Sequence, residues 1–408
     1  MSDHNALTLI IFLLTYAVIA LGEVPFFSID RTGAALAGAV AMIISGALSE
    51  HAAERAIDVH TLALLLGMMI VVANLRISGA FAVFARAMLM RARSGFGILA
   101  MTIVAAGLLA AFFINDVVCI ALTPLVIEAA AAADVDPIPL LLGVATASNI
   151  GSAATITGNP QNMIVAGFAH LSYASFVVHL APGAVAGLAV DYAIIALVFR
   201  ERLTHRSERA KFPPPPRVLG ALMIKSSLVA AIVLVLFALG YRTDLVAMAA
   251  AVFLLFTRRI KPVRIYRLID WTMLVMFAGL FIVVAGLETT GFAPTMLKLI
   301  GPDRLTKPAV LTAAVAVLSN LVSNVPAVLL FRPLYPMLGS NVAVAMLIAS
   351  ASTYAGNLTV VGSIANLIVI EQARLRNVEI TFGEYLRVGV PITVVTLAFN
   401  SVILWFWL

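Results

Sequence analysis

"ATASNIGSAATITGNPQN", residues 145–162, interrupts a long apolar stretch with glycines, amides and hydroxyls, and it recurs as "ASASTYAGNLTVVGSIAN" at 349–366. At an offset of 204, Ala145, Ala147, Ser148, Thr155, Gly158 and Asn162 fall on Ala349, Ala351, Ser352, Thr359, Gly362 and Asn366. Gly151, Gly158 and Pro160 in the first copy, and Gly356 and Gly362 in the second, are residues that interrupt a helix. Non-helical backbone at membrane depth is tolerated only where it is buried in protein or lines a water-filled cavity. The pair therefore reads as two broken helices, 138–168 and 342–373, whose free backbone groups and amide side chains are available to a solute.

The repetition extends outward from that pair. "FFINDVVCIALTPL" (112–125) lies over "LVSNVPAVLLFRPL" (321–334), matching Asn115 to Asn324 and Pro124 to Pro333 at an offset of 209. Asp58, Gly67, Ile70, Val71, Val72, Ala73, Leu75 and Gly79 match Asp270, Gly279, Ile282, Val283, Val284, Ala285, Leu287 and Gly291 at 212. Arg31-Thr32 over Arg242-Thr243 adds a fourth anchor at 211. Ordered anchors with slowly drifting offsets indicate a duplicated chain. The basic, proline-rich "ERLTHRSERAKFPPPPR" (201–217) is the seam, so residues 1–199 form the first repeat, 200–218 a linker and 219–408 the second repeat.

The composition places this duplication in a bilayer. Of 408 residues 62% are hydrophobic and only 11% charged, against about 25% charged in an ordinary soluble domain. Apolar runs recur at 6–26, 32–50, 59–79, 138–168, 175–199, 219–240, 243–258, 270–290, 342–373 and 383–407, and a helical crossing needs about 20 residues. Ser2-Asp3-His4-Asn5 supplies no basic region ahead of the first run, which reads as a retained helix and not a cleaved signal. The single cysteine, Cys119, excludes an intramolecular disulfide and a multi-cysteine metal site.

The net charge of +6 reflects topology more than nucleic-acid binding. Arginine and lysine cluster at Arg86, Arg91 and Arg93, at Arg200 to Arg217, at Arg258 to Arg267, and at Arg374, Arg376 and Arg387. If the ten runs alternate direction, all four clusters fall on one side, which the positive-inside rule makes the cytoplasm. Both termini are then expected outside a cell (inner or plasma) membrane, as is the acidic loop 50–58.

Five crossings per half, an odd number, insert the two halves in opposite orientations, the inverted-repeat plan recurrent in secondary transporters. Segments 95–133 and 307–340 are apolar but broken at Asn115-Asp116 and Ser323-Asn324, and the crossing parity returns each to its starting side. The expected fold is thus an all-α polytopic membrane protein of two inverted repeats. Each has five transmembrane helices plus a re-entrant hairpin, with the broken helices meeting at the bilayer midplane.

The candidate solute and ion site has two halves. The first joins Asn115, Asp116, Ser148, Asn149, Thr155, Gly158, Asn159 and Asn162, and the second joins Ser323, Asn324, Ser352, Thr353, Asn357, Thr359, Gly362, Ser363 and Asn366. Helix amino termini carry partial positive charge suited to an anion, and bare carbonyls at carboxyl ends suit a cation. The competing reading is that these small polar residues only bond between closely packed helices. Asp116 is the sharper signal, because a carboxylate at membrane depth is costly and usually lies on an ion or proton path. Val325 takes its place in the second half. Asp191, midway along 175–199, is the other candidate for proton coupling, with a structural hydrogen bond as the alternative. Glu288 reads as interfacial, and Arg332 as an arginine reaching the outer surface. The histidines lack metal-ligand spacing, and Gly95-Phe-Gly97-Ile-Leu-Ala100 follows a basic loop instead of the strand a dinucleotide site requires. The sequence has no nucleotide-binding lysine loop, HExxH or GxSxG.

"FFINDVVCIALTPLVI", "SNIGSAATITGNPQNMIV" and "STYAGNLTVVGSIANLIV" resemble the ion transporter superfamily, which includes the arsenite permease ArsB, citrate transporter-like permeases, NhaD-type antiporters and divalent-anion:sodium symporters. The resemblance covers nearly the whole chain. It implies a homodimer in which hairpins and broken helices move against a scaffold, and it places Na+ at the hairpin asparagines, here Asn115 and Asn324. The symporters carry a Ser-Asn-Thr signature at each tip. This chain departs from it with Ile114-Asn115-Asp116 and Ser323-Asn324-Val325, losing hydroxyls and gaining an acid in the first, which favours proton coupling through Asp116. The hairpin is similar to that of arsenite permeases, whereas "TGNPQN" is more similar to that of uncharacterised anion permeases.

These readings converge on a secondary active permease, not an enzyme. It would carry a small inorganic or carboxylate anion or oxyacid, arsenite being the most concrete case, and would be coupled to H+ or Na+ with no bound cofactor. A Na+/H+ antiporter is the alternative. A passive channel and an intramembrane enzyme built on Asp116 and Asp191 are more distant ones.

Overall fold

The structure is a computed structural model that describes residues 3–24, 27–92, 94–204, 218–257, 260–292 and 307–406, with isolated positions 294, 295, 298, 301 and 305. Most of the linker seam, 205–217, and both chain ends lie outside the described residues.

The chain is almost wholly helical. In the first half α1 (Asp3–Leu21), α2 (Arg31–Ile44), α3 (Glu50–Ala56), α4 (Val59–Ser78) and α5 (Ala80–Leu89) lead to a helix pair, α6 (Gly95–Phe112) and α7 (Asn115–Ala133). The broken helix follows as α8 (Pro137–Ser152), a 3-10 turn (Ile156–Gly158) and α9 (Pro160–Phe168), and α10 (Tyr173–Val198) with α11 (Arg200–Leu203) closes the half. The second half has α12 (Gly220–Ala238), α13 (Thr243–Leu255), α14 (Pro262–Tyr266), α15 (Trp271–Thr289), then the pair α16 (Pro308–Val322) and α17 (Asn324–Phe331). Its broken helix is α18 (Val342–Ala355), a 3-10 turn (Val360–Gly362) and α19 (Ile364–Arg374), followed by α20 (Phe382–Trp405). A short antiparallel ribbon, β1 (Glu23–Val24) with β2 (Phe27–Asp30), joins α1 to α2 and has no signal in the hydropathy pattern.

The sequence sets most of these boundaries locally. Asp30, Asp58, Asp136, Asp270 and Asn341 each cap a helix by accepting from an amide two or three residues on, as short polar side chains do. Gly79 stops α4 in the left-handed conformation at φ +85°, which costs glycine nothing. Thr381 and Glu384 form a reciprocal capping box at α20. Arg202 bonds both Asp136 (3.1 Å) and Glu384 (2.9 Å), tying the starts of α8 and α20. The Glu384 bond, and with it the Asp136 charge, holds the guanidinium pKa above its ordinary value.

Seven described helices are long and apolar enough to cross a membrane: α4, α6, α7, α10, α12, α15 and α20. The runs at 32–50 and 243–258 yield shorter helices, α2 with 14 residues and α13 with 13. Both arms of the first hairpin, α6 and α7, are long enough to cross, so this element is longer than a shallow re-entrant loop. The second hairpin matches the expectation better, with arms of 15 and 8 residues.

The duplication appears in the packing. α2 lies on α15, and α4 lies on α13, so each pair joins the two halves. A Cβ added to Gly67 would sit 2.7 Å from the Ala247 carbonyl carbon, and one added to Gly279 would sit 2.8 Å from the Ala35 carbonyl oxygen. The two contacts are the same contact made twice, since Gly67 matches Gly279 and Ala35 matches Ala247 at one offset. Without water between helices, such close backbone approach is a main source of association in lipid. The hairpins repeat the pattern: α6 packs on α8 and α16 on α18, while α9 packs on α18 and α19 on α8. Each half of the molecule thus clasps the broken helix of the other.

Candidate functional site

The two breaks are built alike. Asn162 donates its side-chain amide to the carbonyls of Ser152 (3.0 Å) and Thr155 (2.8 Å), and Asn366 does the same to Gly356 (2.8 Å) and Thr359 (3.2 Å). The carbonyls expected to be free for a solute are therefore occupied by the asparagine four residues beyond each 3-10 turn. Gly151 does not break its helix. It lies within α8, where the Gly107 backbone leaves no room for a Cβ, and Gly158 is crowded in the same way by the Ser152 carbonyl. Thr155 donates to the Ala111 carbonyl of the first hairpin. Ser148 and Ser352 bond back to Ala145 and Ala349 of their own helices at 2.8 and 2.9 Å, and Ser148 also accepts from Cys119 at 3.0 Å.

Between the breaks lies a buried amide web. Asn149 accepts on Oδ1 from Asn115 (2.9 Å) and Ser363 (3.0 Å), and donates to Asn357 (2.8 Å) and Asn366 (3.1 Å). Its counterpart in the second half, Thr353, accepts from Asn159 and Gln161 at 3.2 Å each and faces Asn162 at 3.4 Å. Asn357 further donates to the Thr146 carbonyl at 3.2 Å. The web answers how so many amides can sit among apolar runs: they satisfy one another across the two repeats, as buried polar groups must.

At the edge of the web opens a cavity of about 270 Å³. Both hairpin tips reach it, through Asn115 and Asp116 at the start of α7 and through Ser323 and Asn324 at the start of α17. Both broken helices reach it at the starts of α9 and α19, through Pro160, Gln161, Ser363 and Ile364. Six helices, counting α2 and α15, thus begin at one space, and helix amino termini carry partial positive charge. Ser323 holds φ +73° and ψ 159°, a conformation that side chains rarely adopt and that costs of order 1–3 kcal/mol. A smaller cavity of about 120 Å³ adjoins it, again lined by Asp116 and also by Arg76 and Asp270.

Of the residues singled out in the sequence, Asn115, Asp116, Ser323, Asn324 and Ser363 line the cavity. Asn149, Asn159, Asn162, Thr353, Asn357 and Asn366 form the web behind it, and Thr155, Thr359, Gly158 and Gly362 shape the two turns. Asp191 belongs to neither set and is fully buried on α10 beside Thr146 of the broken helix. Gln161, Thr32, Asp30, Arg31 and Asp270 also line the cavity, and none of them is among the site residues expected from the sequence. Asp270 carried a signal: an acid repeated at Asp58, at the polar edge of an apolar run.

A second, wider cavity of about 1270 Å³ lies at the repeat-related positions, lined by Asp58, His60, Arg242, Asp244 and Arg332 among others. There Asp244 bridges His60 (2.8 Å) and Arg242 (2.9 Å). Arg332 is half-buried on this cavity, with its guanidinium 5.8 Å from the centre of the Phe281 ring.

Comparison with known proteins agrees with this architecture. The family model described as "Citrate transporter" matches residues 9–338. The "Silicon efflux transporter LSI3" of Oryza sativa subsp. japonica is 30% identical, over 92% of each chain. A "46 kDa membrane protein" of Mycobacterium leprae is 29% identical over 98% of both. Among solved structures, the Alcanivorax borkumensis YdaH transporter superposes with a TM-score of 0.58, covering 99% of this chain and 98% of that one, at 16% identity. At that identity the likeness concerns the fold.

Proposed function

The chain belongs to the citrate transporter family and is a membrane transporter, not an enzyme, and on that premise we propose that it is a secondary active permease for a small hydroxylated oxyacid, coupled to protons through Asp116. The observation that carries the reading is the single cavity in which both hairpin tips and the second segments of both broken helices meet, with Asp116 on its wall. A volume of about 270 Å³ lies just below the range of about 300–1,000 Å³ common for drug-sized ligands, so it favours a solute of few atoms.

The lining supports the solute class. Helix amino termini, Asn115, Gln161 and Arg31 offer donors, while the carboxylates of Asp30 and Asp270, and that of Asp116 when ionised, offer only acceptors. A polyhydroxy acid that stays protonated at neutral pH can use both kinds. A fully ionised carboxylate has acceptors alone, and at about 6 Å from one uncompensated aspartate it meets about 3 kcal/mol of repulsion at an effective dielectric of 20. The rice relative, named for silicon efflux, and the likeness to arsenite permeases point the same way.

Residues 1–199 and 219–408 act as the two repeat units. By the positive-inside rule the first cavity, beside Arg31 and Asp270, faces the basic, cytoplasmic side and the wider one faces outside. Exchange between these openings by movement of hairpins and broken helices, in paired copies of the chain, fits the resemblance.

The test is flux in proteoliposomes, with arsenite, silicate, citrate, succinate and sulfate each offered under imposed pH and Na+ gradients. The expected result is movement of a neutral oxyacid driven by the pH gradient, reduced to gradient-independent exchange in Asp116→Asn. Coupled flux unchanged in that variant refutes Asp116 as the coupling acid. Na+-dependent proton movement without solute flux would replace the permease with a Na+/H+ antiporter.

A further inference from the structure

We propose that Asp270, at the start of α15, is a solute-binding residue that sets specificity, forming with Asp116 and Asn324 the acceptor face of the cavity. The inference rests on the permease reading above and extends it to a residue outside the hairpins and broken helices.

Three observations carry it. Asp270 uses only Oδ1 to cap its helix, accepting from Thr272 Oγ1 (2.6 Å) and the Met273 amide (2.9 Å). Its second oxygen has no hydrogen-bond partner among the described residues, and the side chain is open to the cavity. Asp116, on the same cavity, bonds to no described residue, and the two carboxylates line both adjoining cavities. Independently of this acidic pair, Asn324 is nine-tenths buried on the same cavity and its Oδ1 has no partner. A buried acceptor without a donor is costly, and a turn of the Asn324 side chain into the cavity would let a guest's hydroxyl supply that donor. The two carboxylates on this face discriminate against a carboxylate guest by like charge.

Asp270 joins a helix of the α2–α15 pair to a site otherwise made by the hairpins and the broken helices. A solute held between Asp116 and Asp270 is therefore held between two parts of the molecule, and its release requires that they separate.

The experiment compares Asp270→Ser and Asp270→Asn with wild type in proteoliposomes, using arsenite as the solute probe and succinate as competitor. Serine and asparagine both cap helices as well as aspartate does, so a purely structural role predicts unchanged flux and melting temperature. The proposal expects an unchanged melting temperature, an apparent KM for arsenite at least tenfold higher with the maximal rate of exchange within about twofold, and succinate inhibition that is absent in wild type. An unchanged KM and unchanged selectivity in both variants overturn the proposal and leave the permease reading standing. Wild-type protein that carries succinate and ignores arsenite and silicate overturns both. If Asp270→Ser fails to insert, Asp270→Glu decides: its longer carboxylate keeps the charge and is expected to preserve selectivity while shifting KM, and selectivity lost in it overturns the proposal.

Discussion

Asn149→Ala is the most informative single perturbation, because Asn149 touches both hairpin and broken-helix elements and both repeats. It removes four hydrogen bonds of 2.8–3.1 Å. Side-chain bonds between membrane helices average about 0.6 kcal/mol, so four typical bonds would give a little over 2 kcal/mol. The penalty for orphaned partners is larger. Asn115 and Ser363 line the cavity and can be hydrated, whereas Asn357 and Asn366 are fully buried; two dry acceptors at about 1–3 kcal/mol each bring the expected loss to about 2–6 kcal/mol. Thr353→Val, at the repeat-related position, is the internal control. Asn159 keeps its 2.9 Å bond to Ser152 Oγ and Gln161 can turn to the cavity, so the loss there is expected near 1 kcal/mol. Equilibrium unfolding in mixed micelles measures both. A loss below about 1 kcal/mol for Asn149→Ala, or one no greater than for Thr353→Val, would refute the claim that the web centres on Asn149.

Gly67→Ala and Gly279→Ala each force a methyl against backbone of the facing helix and are expected to destabilise by about 1–3 kcal/mol; similar losses in thermal unfolding would confirm that the contacts are equivalent, and a loss in only one would show that they are not. Asp191→Val removes a fully buried carboxylate beside Thr146, whose hydroxyl already donates to the Leu142 carbonyl at 2.8 Å, and is expected to raise stability by about 1–3 kcal/mol, seen as a higher melting temperature; a lower one would show that Asp191 is satisfied in the native state.

The chain alone determined that it is a duplicated, polytopic helical protein, and it located the two breaks and the two hairpin tips to within a few residues. These features are local: apolar runs bounded by capping residues, with glycine, proline and amides set where helix and lipid cannot tolerate them unless something buries them. Asp116 was legible for the same reason, an acid where acids are costly. What tertiary structure decided was pairing and division of labour. Nothing local in Asn162 or Asn366 reveals that they close their own turn's carbonyls, or that Asn149 answers Asn357, Asn366 and Ser363 from the other half of the chain. Asp270 reads in sequence as an ordinary helix cap. Its free oxygen becomes part of a cavity only because α15, packed on α2 through the Gly279–Ala35 contact, sets it beside the tip of a hairpin more than 150 residues away in sequence, a placement fixed by close packing between helices and not by any local pattern.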